Sequence, residues 1–333
     1  MAHALCETTT EFPHLGERGI QLQCPACGTN LARVTLGPPT DQLNYDCSNC
    51  GFVILSERGI WQALTGERVA HFSRFVDEYE NIRAAEGRGS LDADFYLKLP
   101  YEDATGKNAW QWKIRACTFD VLIGKLLPRF VHDTKNHPTV LDLGAGNGWM
   151  SYRLALAGYS PVAVDLLTNE QDGLGAAVHF EKRLGSLFPR FRAEMSRLPF
   201  ADEQFDAVIF NASFHYAEDY RAAMHEAVRC TRKQGTVIIA DSPWYSANES
   251  GERMVAERQA VFAQQYGTAS NSIPSLEYLT DERLSQLERA FDLRWERYTP
   301  FYGLQWAMRP FLAKLRGKRE PSHFRVYSAR KTA

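Results

Sequence analysis

Four cysteines near the start of the chain have the spacing of a metal site. Cys24 and Cys27 form one C-x2-C pair, Cys47 and Cys50 form a second, and 19 residues separate the pairs. Two pairs at this separation are typical of a zinc site made of four thiolates. Because four thiolates complete the tetrahedron and leave no position for water, the pattern predicts structural Zn²⁺. A redox role is disfavoured, since neither pair opens a helix after a strand.

A glycine-rich turn supplies the second group of residues that could do chemistry. The segment 141–148 has the form D-x-G-x-G-x-G from Asp142 onward, between an apolar strand and a helix. Such glycines let a ligand lie close against the main chain. Dinucleotide enzymes usually show G-x-G-x-x-G, and here the third glycine falls one position early. Asp165 ends the next strand, where a carboxylate can accept hydrogen bonds from ribose hydroxyls. The alternative is that Asp165 caps the following turn.

Short apolar runs that alternate with helical patterns must position these residues. Strands are predicted at 140–143, 160–164, 205–210 and 235–240, with helices at 149–157 and 220–230. This alternation predicts a doubly wound α/β sheet, whose ligands bind beyond the carboxyl ends of the strands. Further helices are predicted at 67–85, 109–127 and 249–266, and closing strands at 293–298 and 324–328.

Residues 139–241 resemble the class I S-adenosylmethionine-dependent methyltransferases, of the type 11 kind. The segment 140–149 is similar to the first motif of that family, and Asp165 stands where its ribose-binding acid stands. The segment 193–200 resembles the adenine-contacting segment, with Glu194 and Met195 in place of the usual Asp and small residue. The resemblance implies a Rossmann-like sheet with helices on both faces and S-adenosylmethionine as cofactor.

The resemblance also implies a set of cofactor-binding and catalytic residues. The loop 211–216 would face the transferred methyl group, which makes His215 the best-placed general base, with Tyr216 beside it. A structural role for His215 is the alternative. Arg115, on a helix before the sheet, would pair with the methionine carboxylate or belong to the core. The full set of cofactor contacts is Asp142, Gly144, Ala145, Gly146, Asn147, Gly148, Asp165, Leu166, Glu194, Met195, Asn211 and Arg115.

Composition and cysteine usage indicate a globular protein with a small N-terminal unit. Hydrophobic residues form 44% of the 333 residues, and 38 Lys and Arg nearly balance 40 Asp and Glu. This balance predicts no bulk attraction to nucleic acid. We expect a lead-in at 1–20, a zinc ribbon at 21–62, a helical linker or lid at 63–130 and a methyltransferase domain at 131–333. No signal segment, transmembrane run or disulfide framework is evident, so a cytoplasmic location is expected.

The methyl acceptor has four alternatives at this point. A small molecule is favoured by the near-neutral charge and by aromatic residues such as those of the segment 241–245. RNA is the second, because a zinc ribbon before this fold is similar to the bacterial ribosomal-RNA guanine-N1 methyltransferases. Residues 21–62 contain only Arg33 and Arg58 as cations, which is a poor footprint for RNA. A lipid acceptor is the third, from the apolar and basic mixture at 304–319, a segment that Pro310 is expected to interrupt. A binding protein without catalysis is the fourth.

Overall fold

The computed structural model describes residues 19–34, 44–129 and 137–332, without the side chains of residues 32–34. Cys6, Arg33's side chain and most of the predicted lead-in lie outside the described residues. Within these ranges, ten strands form one sheet and two form another. The strands are β1 (Ile20–Gln23), β2 (Asn30–Val34), β3 (Asn44–Asp46), β4 (Val53–Glu57), β5 (Ile60–Gln62), β6 (Thr139–Leu143), β7 (Ser160–Asp165), β8 (Arg190–Arg192), β9 (Phe205–Asn211), β10 (Thr231–Ala240), β11 (Glu296–Tyr298) and β12 (Val326–Arg330).

Helices cover both faces of the large sheet, which confirms the predicted fold class. They are α1 (Gly66–Ala85), α2 (Ala93–Lys98), α3 (Ala109–Val121), α4 (Trp149–Leu156), α5 (Glu181–Leu184), α6 (Tyr220–Cys230), α7 (Asn248–Tyr266), α8 (Asp281–Phe291) and α9 (Leu304–Leu315). In the described part of the chain, no helix combines the length and apolarity that a membrane span requires.

The central strand β6 lies between β7 and β9 and runs parallel to both. All five of its residues are buried, as expected for a strand covered on two faces. From β6 the chain builds β7 and β8 on one side, then crosses back to build β9 and β10 on the other. Because strand order reverses at β6, the carboxyl ends of β6, β7 and β9 border one crevice, the usual ligand site of such sheets.

Apolar side chains alternate between the two faces of β6 and join two cores. Leu141 belongs to the core that holds Met224 of α6, and Val140 belongs to the core that holds Trp112 and Trp149. Trp112 meets the Trp149 ring edge-on at 5.9 Å. The helix α3, which carries Trp112, therefore packs on the same face of the sheet as α4, which carries Trp149.

The cysteine-bearing unit continues the large sheet at its β8 edge. Strand β5 pairs in parallel with β8, with Trp61 opposite Phe191, and β4 and β3 follow in antiparallel order. Trp61 is buried, and its ring centroid lies 5.0 Å from that of Tyr45 and 6.3 Å from that of Phe191. An edge strand is thereby covered, and the small unit shares one core with the sheet.

The strand β1 adds backbone contacts to a different segment of the main domain. The amide of Gln23 donates to the carbonyl of Pro199 at 3.1 Å, and the amide of Ala201 donates to the carbonyl of Gln21 at 2.9 Å. The small unit is thus tied to the main domain by main-chain hydrogen bonds of both β5 and β1.

Two helices differ from expectation in their detail. The predicted helix 109–127 is α-helical only to Val121, and a wider π-type turn occupies Leu122–Leu126 before Pro128. The helix α9 continues through Pro310, whereas the sequence predicted that this proline interrupts it. A proline removes one main-chain donor, and here the aromatic contacts of Trp306 hold the surrounding turns in place.

Candidate functional site

The turn after β6 has room only for glycine at its first position. Gly144 has φ of 75°, and a Cβ atom there would lie 2.2 Å from the Cβ of Ser213. The amides of Gly144 and Ala145 both donate to the carbonyl of Val164, at 2.8 and 3.0 Å. The turns after β6 and β9 are therefore in contact, and the turn after β6 is hydrogen-bonded to β7.

Asp165 accepts two main-chain hydrogen bonds at the end of β7. The amide of Gly146 donates to its Oδ2 at 2.7 Å, and the amide of Leu167 donates to its Oδ1 at 2.8 Å. Burial raises the pKa of Asp165 to about 6, although these amides oppose the rise. Each oxygen keeps a further lone pair, so capping this turn and binding ribose hydroxyls are compatible.

Asp142 lies deeper, on β6 just before the glycine turn, and is buried. Its Oδ2 accepts a hydrogen bond from the Ser151 hydroxyl at 2.8 Å. Burial raises the pKa of Asp142 to about 7, and the Ser151 hydroxyl opposes the rise. The carboxyl group therefore links the glycine turn to the start of α4, together with Asn147, whose Oδ1 accepts from the Trp149 amide at 3.2 Å.

Asn211 Oδ1 and the Arg115 guanidinium, which lies 4.9 Å from the Trp112 ring centroid, make no hydrogen bond or ion pair to the described residues, and this fits a bound cofactor. Asn211 Oδ1 is buried and accepts no hydrogen bond from any described residue. Arg115 lines the same cleft, and its guanidinium has no carboxylate partner among the ion pairs of the described residues. Burial, with Arg83 and Arg88 nearby, lowers the pKa of Arg115 to about 10. Both groups are available to the polar end of a ligand.

Glu194 is engaged by an arginine from α1. Arg68 Nη2 donates to Glu194 Oε2 at 2.7 Å and to Glu218 Oε2 at 2.8 Å. Glu194 is buried, whereas Met195 beside it is half-buried and lines the cleft. The predicted adenine contact of Glu194 would have to use oxygen lone pairs that Arg68 leaves unused.

An aromatic wall closes the other part of the cleft. It consists of Phe72, Phe75 and Tyr79 from α1, with Tyr216 after β9 and Ile273. The Tyr79 ring meets the Tyr216 ring edge-on at 5.7 Å. The sequence analysis predicted a helix over 67–85 but gave these three residues no part in the site. The spacing of Phe72, Phe75 and Tyr79, which puts three aromatic rings on one side of a helix, was the signal that could have assigned them to the site.

His215 and Tyr216 differ in their access to the cleft. Tyr216 lines it, and burial raises the pKa of its phenol well above the usual range, so the phenol is neutral. His215 is buried with its Nδ1 3.3 Å from Ser242 Oγ, and it is not among the described residues that line the cleft. Burial lowers the pKa of His215 to about 4, so its imidazole is neutral at pH 7.

The cleft brings together most of the residues predicted for cofactor binding. Gly148 is outside the described lining of the cleft and faces Phe188 instead. The aromatic residues of the segment 241–245, Trp244 and Tyr245, are buried and do not line the cleft either. Lining residues from the prediction are Asp142, Gly144, Ala145, Gly146, Asn147, Asp165, Leu166, Glu194, Met195, Asn211, Arg115 and Tyr216.

The four predicted thiol ligands converge in the small unit. Their sulfur atoms lie within 4.8 Å of one another, with Cys24 Sγ 3.6 Å from Cys50 Sγ and Cys27 Sγ 3.5 Å from Cys47 Sγ. Tetrahedral zinc with bonds of about 2.3 Å sets sulfurs roughly 3.8 Å apart. The cluster therefore fits one zinc ion.

The pH dependence of stability tests the burial of Asp142. Its carboxyl group stays protonated in the fold up to about pH 7, whereas the unfolded chain loses that proton near 3.8. Its contribution to stability is therefore complete below 3.8 and is lost as the pH rises to about 7. In Asp142→Asn the amide oxygen still accepts from Ser151 and this loss disappears.

We expect the free energy of unfolding of Asp142→Asn, relative to the parent, to rise by more than about 1.4 kcal/mol across that interval. Urea unfolding without cofactor at a series of pH values measures it. Asp94→Asn, at an exposed carboxylate, is the matched control and should show no such trend. An Asp142→Asn curve parallel to that of the parent would contradict the assignment.

Comparison with known proteins agrees with this geometry. Residues 141–239 match the family model described as "Methyltransferase domain". A demethylmenaquinone methyltransferase from Mycobacterium marinum is 34% identical over 102 residues, covering 31% of this chain and 40% of the relative. An uncharacterized methyltransferase from Mycolicibacterium vanbaalenii is 26% identical over 211 residues, covering 60% of this chain and 78% of the relative. The chain thus spans less than half the length of the demethylmenaquinone methyltransferases that it matches.

A solved structure from Galdieria sulphuraria shows the same fold. Its name refers to a sarcosine dimethylglycine methyltransferase, and it aligns with a TM-score of 0.50 at 12% identity, covering 77% of this chain and 98% of that chain. At this identity the likeness concerns the fold alone. The matched residues 141–239 contain most of β6 and all of β7 and β9, whose carboxyl ends border the crevice. Residues 141–239 therefore match the methyltransferase domain family, and the sheet around them has the fold of that solved structure.

Proposed function

We propose that this protein transfers a methyl group from S-adenosylmethionine to a small-molecule acceptor. One observation carries the proposal: the glycine turn, Asp165 and the unpartnered Asn211 border the same cleft as an aromatic wall. The bound cofactor supplies an electrophilic sulfonium methyl group. Asp165 would hold the ribose hydroxyls, Met195 would pack on the adenine, and Arg115 would pair with the carboxylate.

The chain's own contribution is to orient the acceptor and exclude water. The aromatic wall of Phe72, Phe75, Tyr79, Tyr216 and Ile273 offers apolar and π surface to a planar acceptor. The helix α1 carries three of these side chains and is held at its start by the Arg68 bonds to Glu194 and Glu218. Holding the acceptor in line with the methyl group is the main requirement of this chemistry.

The acceptor should need little help in losing a proton. Every acidic side chain that lines the described cleft already accepts a hydrogen bond: Asp142, Asp165, Asp172, Glu194 and Glu218. His215 is buried and neutral, and Tyr216 is a neutral phenol. A neutral amine, a thiolate or an already ionised oxygen or carbon acid suits such a site. The catalytic roles of His215 and Tyr216 stay predictions, with Tyr216 better placed to touch the acceptor.

A small molecule is favoured over RNA by charge and by relatives. The small unit has only Arg33 and Arg58 as cations, and Arg58 lies 3.3 Å from Glu170, which reduces its availability. RNA binding depends on clustered cations. Relatives from Mycobacterium marinum and Corynebacterium efficiens act by name on demethylmenaquinone. A role as a binding protein without catalysis has no specific observation in its favour.

The four-thiolate cluster would hold structural zinc. The sulfur distances match a single tetrahedral ion, and no position is left for water or substrate. Since β5 covers the β8 edge, zinc in this unit would support the segment that carries Glu194 and Met195.

The acceptor class is tested by following a labelled methyl group. Purified protein, methyl-labelled S-adenosylmethionine and a cell lysate are incubated, and label is counted in RNA, protein, lipid and small-molecule fractions. We expect label in small molecules. In Asp165→Asn, the loss of hydrogen bonds from ribose hydroxyls to a carboxylate should weaken cofactor binding about 10- to 100-fold.

Asp94→Asn, at an exposed carboxylate, is the matched control and should label at the parent rate. Asn at 165 still offers one acceptor oxygen to the surrounding amides, so the variant should fold, which thermal unfolding checks. Label concentrated in RNA would contradict the proposal. So would an Asp165→Asn variant that labels small molecules at the parent rate.

Zinc content and stability should change together in a ligand variant. Cys27 is exposed, so Cys27→Ser removes a ligand without opening a cavity in the core. We expect it to lose the zinc and to lower the melting temperature of the whole chain, because the small unit and the sheet share one core. Metal analysis and thermal unfolding followed by tryptophan fluorescence measure both.

Cys117→Ser is the control, because Cys117 lies on α3 and outside the thiolate cluster. It should keep the zinc and unfold near the parent temperature. Cys27→Ser protein with a full complement of zinc would refute the metal assignment. Loss of zinc with an unchanged main transition would show that the small unit is not coupled to the sheet.

A further inference from the structure

The helix α9 presents apolar side chains to solvent rather than to the core. It contains no buried residue, and Leu304, Leu315 and Phe311 are 76%, 68% and 57% exposed. Together with Met308 they occur at positions i, i+4, i+7 and i+11, which places them within about 60° around the helix axis. These four residues are called the apolar face of α9.

The orientation of α9 is determined by aromatic contacts on its opposite side. The Trp306 ring stacks on Phe324 with centroids 5.3 Å apart and lies 5.9 Å from the Trp110 ring. The Arg309 guanidinium covers Trp306 at 3.7 Å. Because Trp306 is packed against the protein, the apolar face cannot turn inward without breaking this cluster.

Cations border the apolar face without acidic partners. Lys314 and Arg316 project on opposite flanks of it, and Lys318 follows in the next turn; all three are exposed. No Asp or Glu occurs between Glu296 and Glu320. Among the described residues, none of the three cations takes part in an ion pair, whereas Arg319 pairs with Glu257.

We propose that α9 lies in the interface of an anionic lipid surface. The apolar face would enter the boundary between headgroups and acyl chains, and the flanking cations would meet the anionic headgroups. An apolar stripe with a basic border is the pattern of helices that lie in a membrane surface. This proposal concerns where the protein resides and does not depend on the proposed methyl transfer.

A second copy of this chain is a less suitable occupant for the same face. A two-fold contact would place each α9 against its equivalent, so that Lys314 and Arg316 would approach their own counterparts. The segment between Glu296 and Glu320 offers no carboxylate to compensate this repulsion. Lipid headgroups of opposite charge supply the compensation directly.

Co-sedimentation with vesicles of defined composition tests the proposal. Vesicles of phosphatidylcholine alone are compared with equimolar phosphatidylcholine and phosphatidylglycerol. We expect the full chain to sediment with the anionic vesicles, to bind neutral ones much more weakly, and to be released by salt. Lys314→Glu with Arg316→Glu should weaken anionic binding at least tenfold, and Phe311→Ser with Leu315→Ser should weaken it comparably.

Matched controls separate this face from general surface chemistry. Arg289→Glu with Arg294→Glu changes two exposed cations elsewhere, and Val261→Ser changes an exposed apolar residue of α7; both should bind like the parent. Absence of binding to anionic vesicles, or equal loss in the controls, would overturn the proposal. So would a dimer in analytical ultracentrifugation that Phe311→Ser dissociates, since the face would then be a contact between copies.

Discussion

The close approach of the two chain turns beside β6 is the constraint on which the site depends. Gly144 after β6 touches Ser213 after β9, and only a residue without a side chain permits this distance. The same turn is bonded to Val164 of β7. Three parallel strands therefore bring their carboxyl ends to one point, where Asp142, Asp165 and Asn211 lie.

A second constraint acts at the sheet edge. Strand β8 is only three residues long, and β5 provides the partner that covers it. The chain then enters α1, where Arg68 bonds Glu194 and Glu218 and sets the aromatic residues of that helix over the cleft. The small cysteine-bearing unit, the cleft and its cover are thus parts of one continuous structure. Zinc held by the four thiolates would therefore support a site that it does not touch.

Local patterns in the sequence predicted much of this arrangement, but they did not predict the contacts between residues far apart in the chain. Continuous apolar runs and the glycine turn were sufficient to predict β6, β7, β9 and β10, and the cysteine spacing predicted a cluster that the geometry fits. Strand β8 was missed because Arg190 and Arg192 flank a single Phe, which leaves no apolar run to detect. The bond between Arg68 and Glu194 joins residues 126 positions apart, and no periodicity records such a contact. The exposed apolar face of α9 became interpretable only when Trp306 fixed its orientation.

Hydrogen exchange with and without S-adenosylmethionine tests the central claim most directly, namely that the crevice beside β6 holds the cofactor beneath α1. At saturating cofactor we expect slower exchange in the backbone amides of residues 143–149, 165–174, 193–197 and 211–218, together with residues 66–85 of α1. The strands β3 and β4 and the helix α9 should exchange as before. Saturable binding that protects none of these crevice segments, or that protects a different surface, would contradict the account.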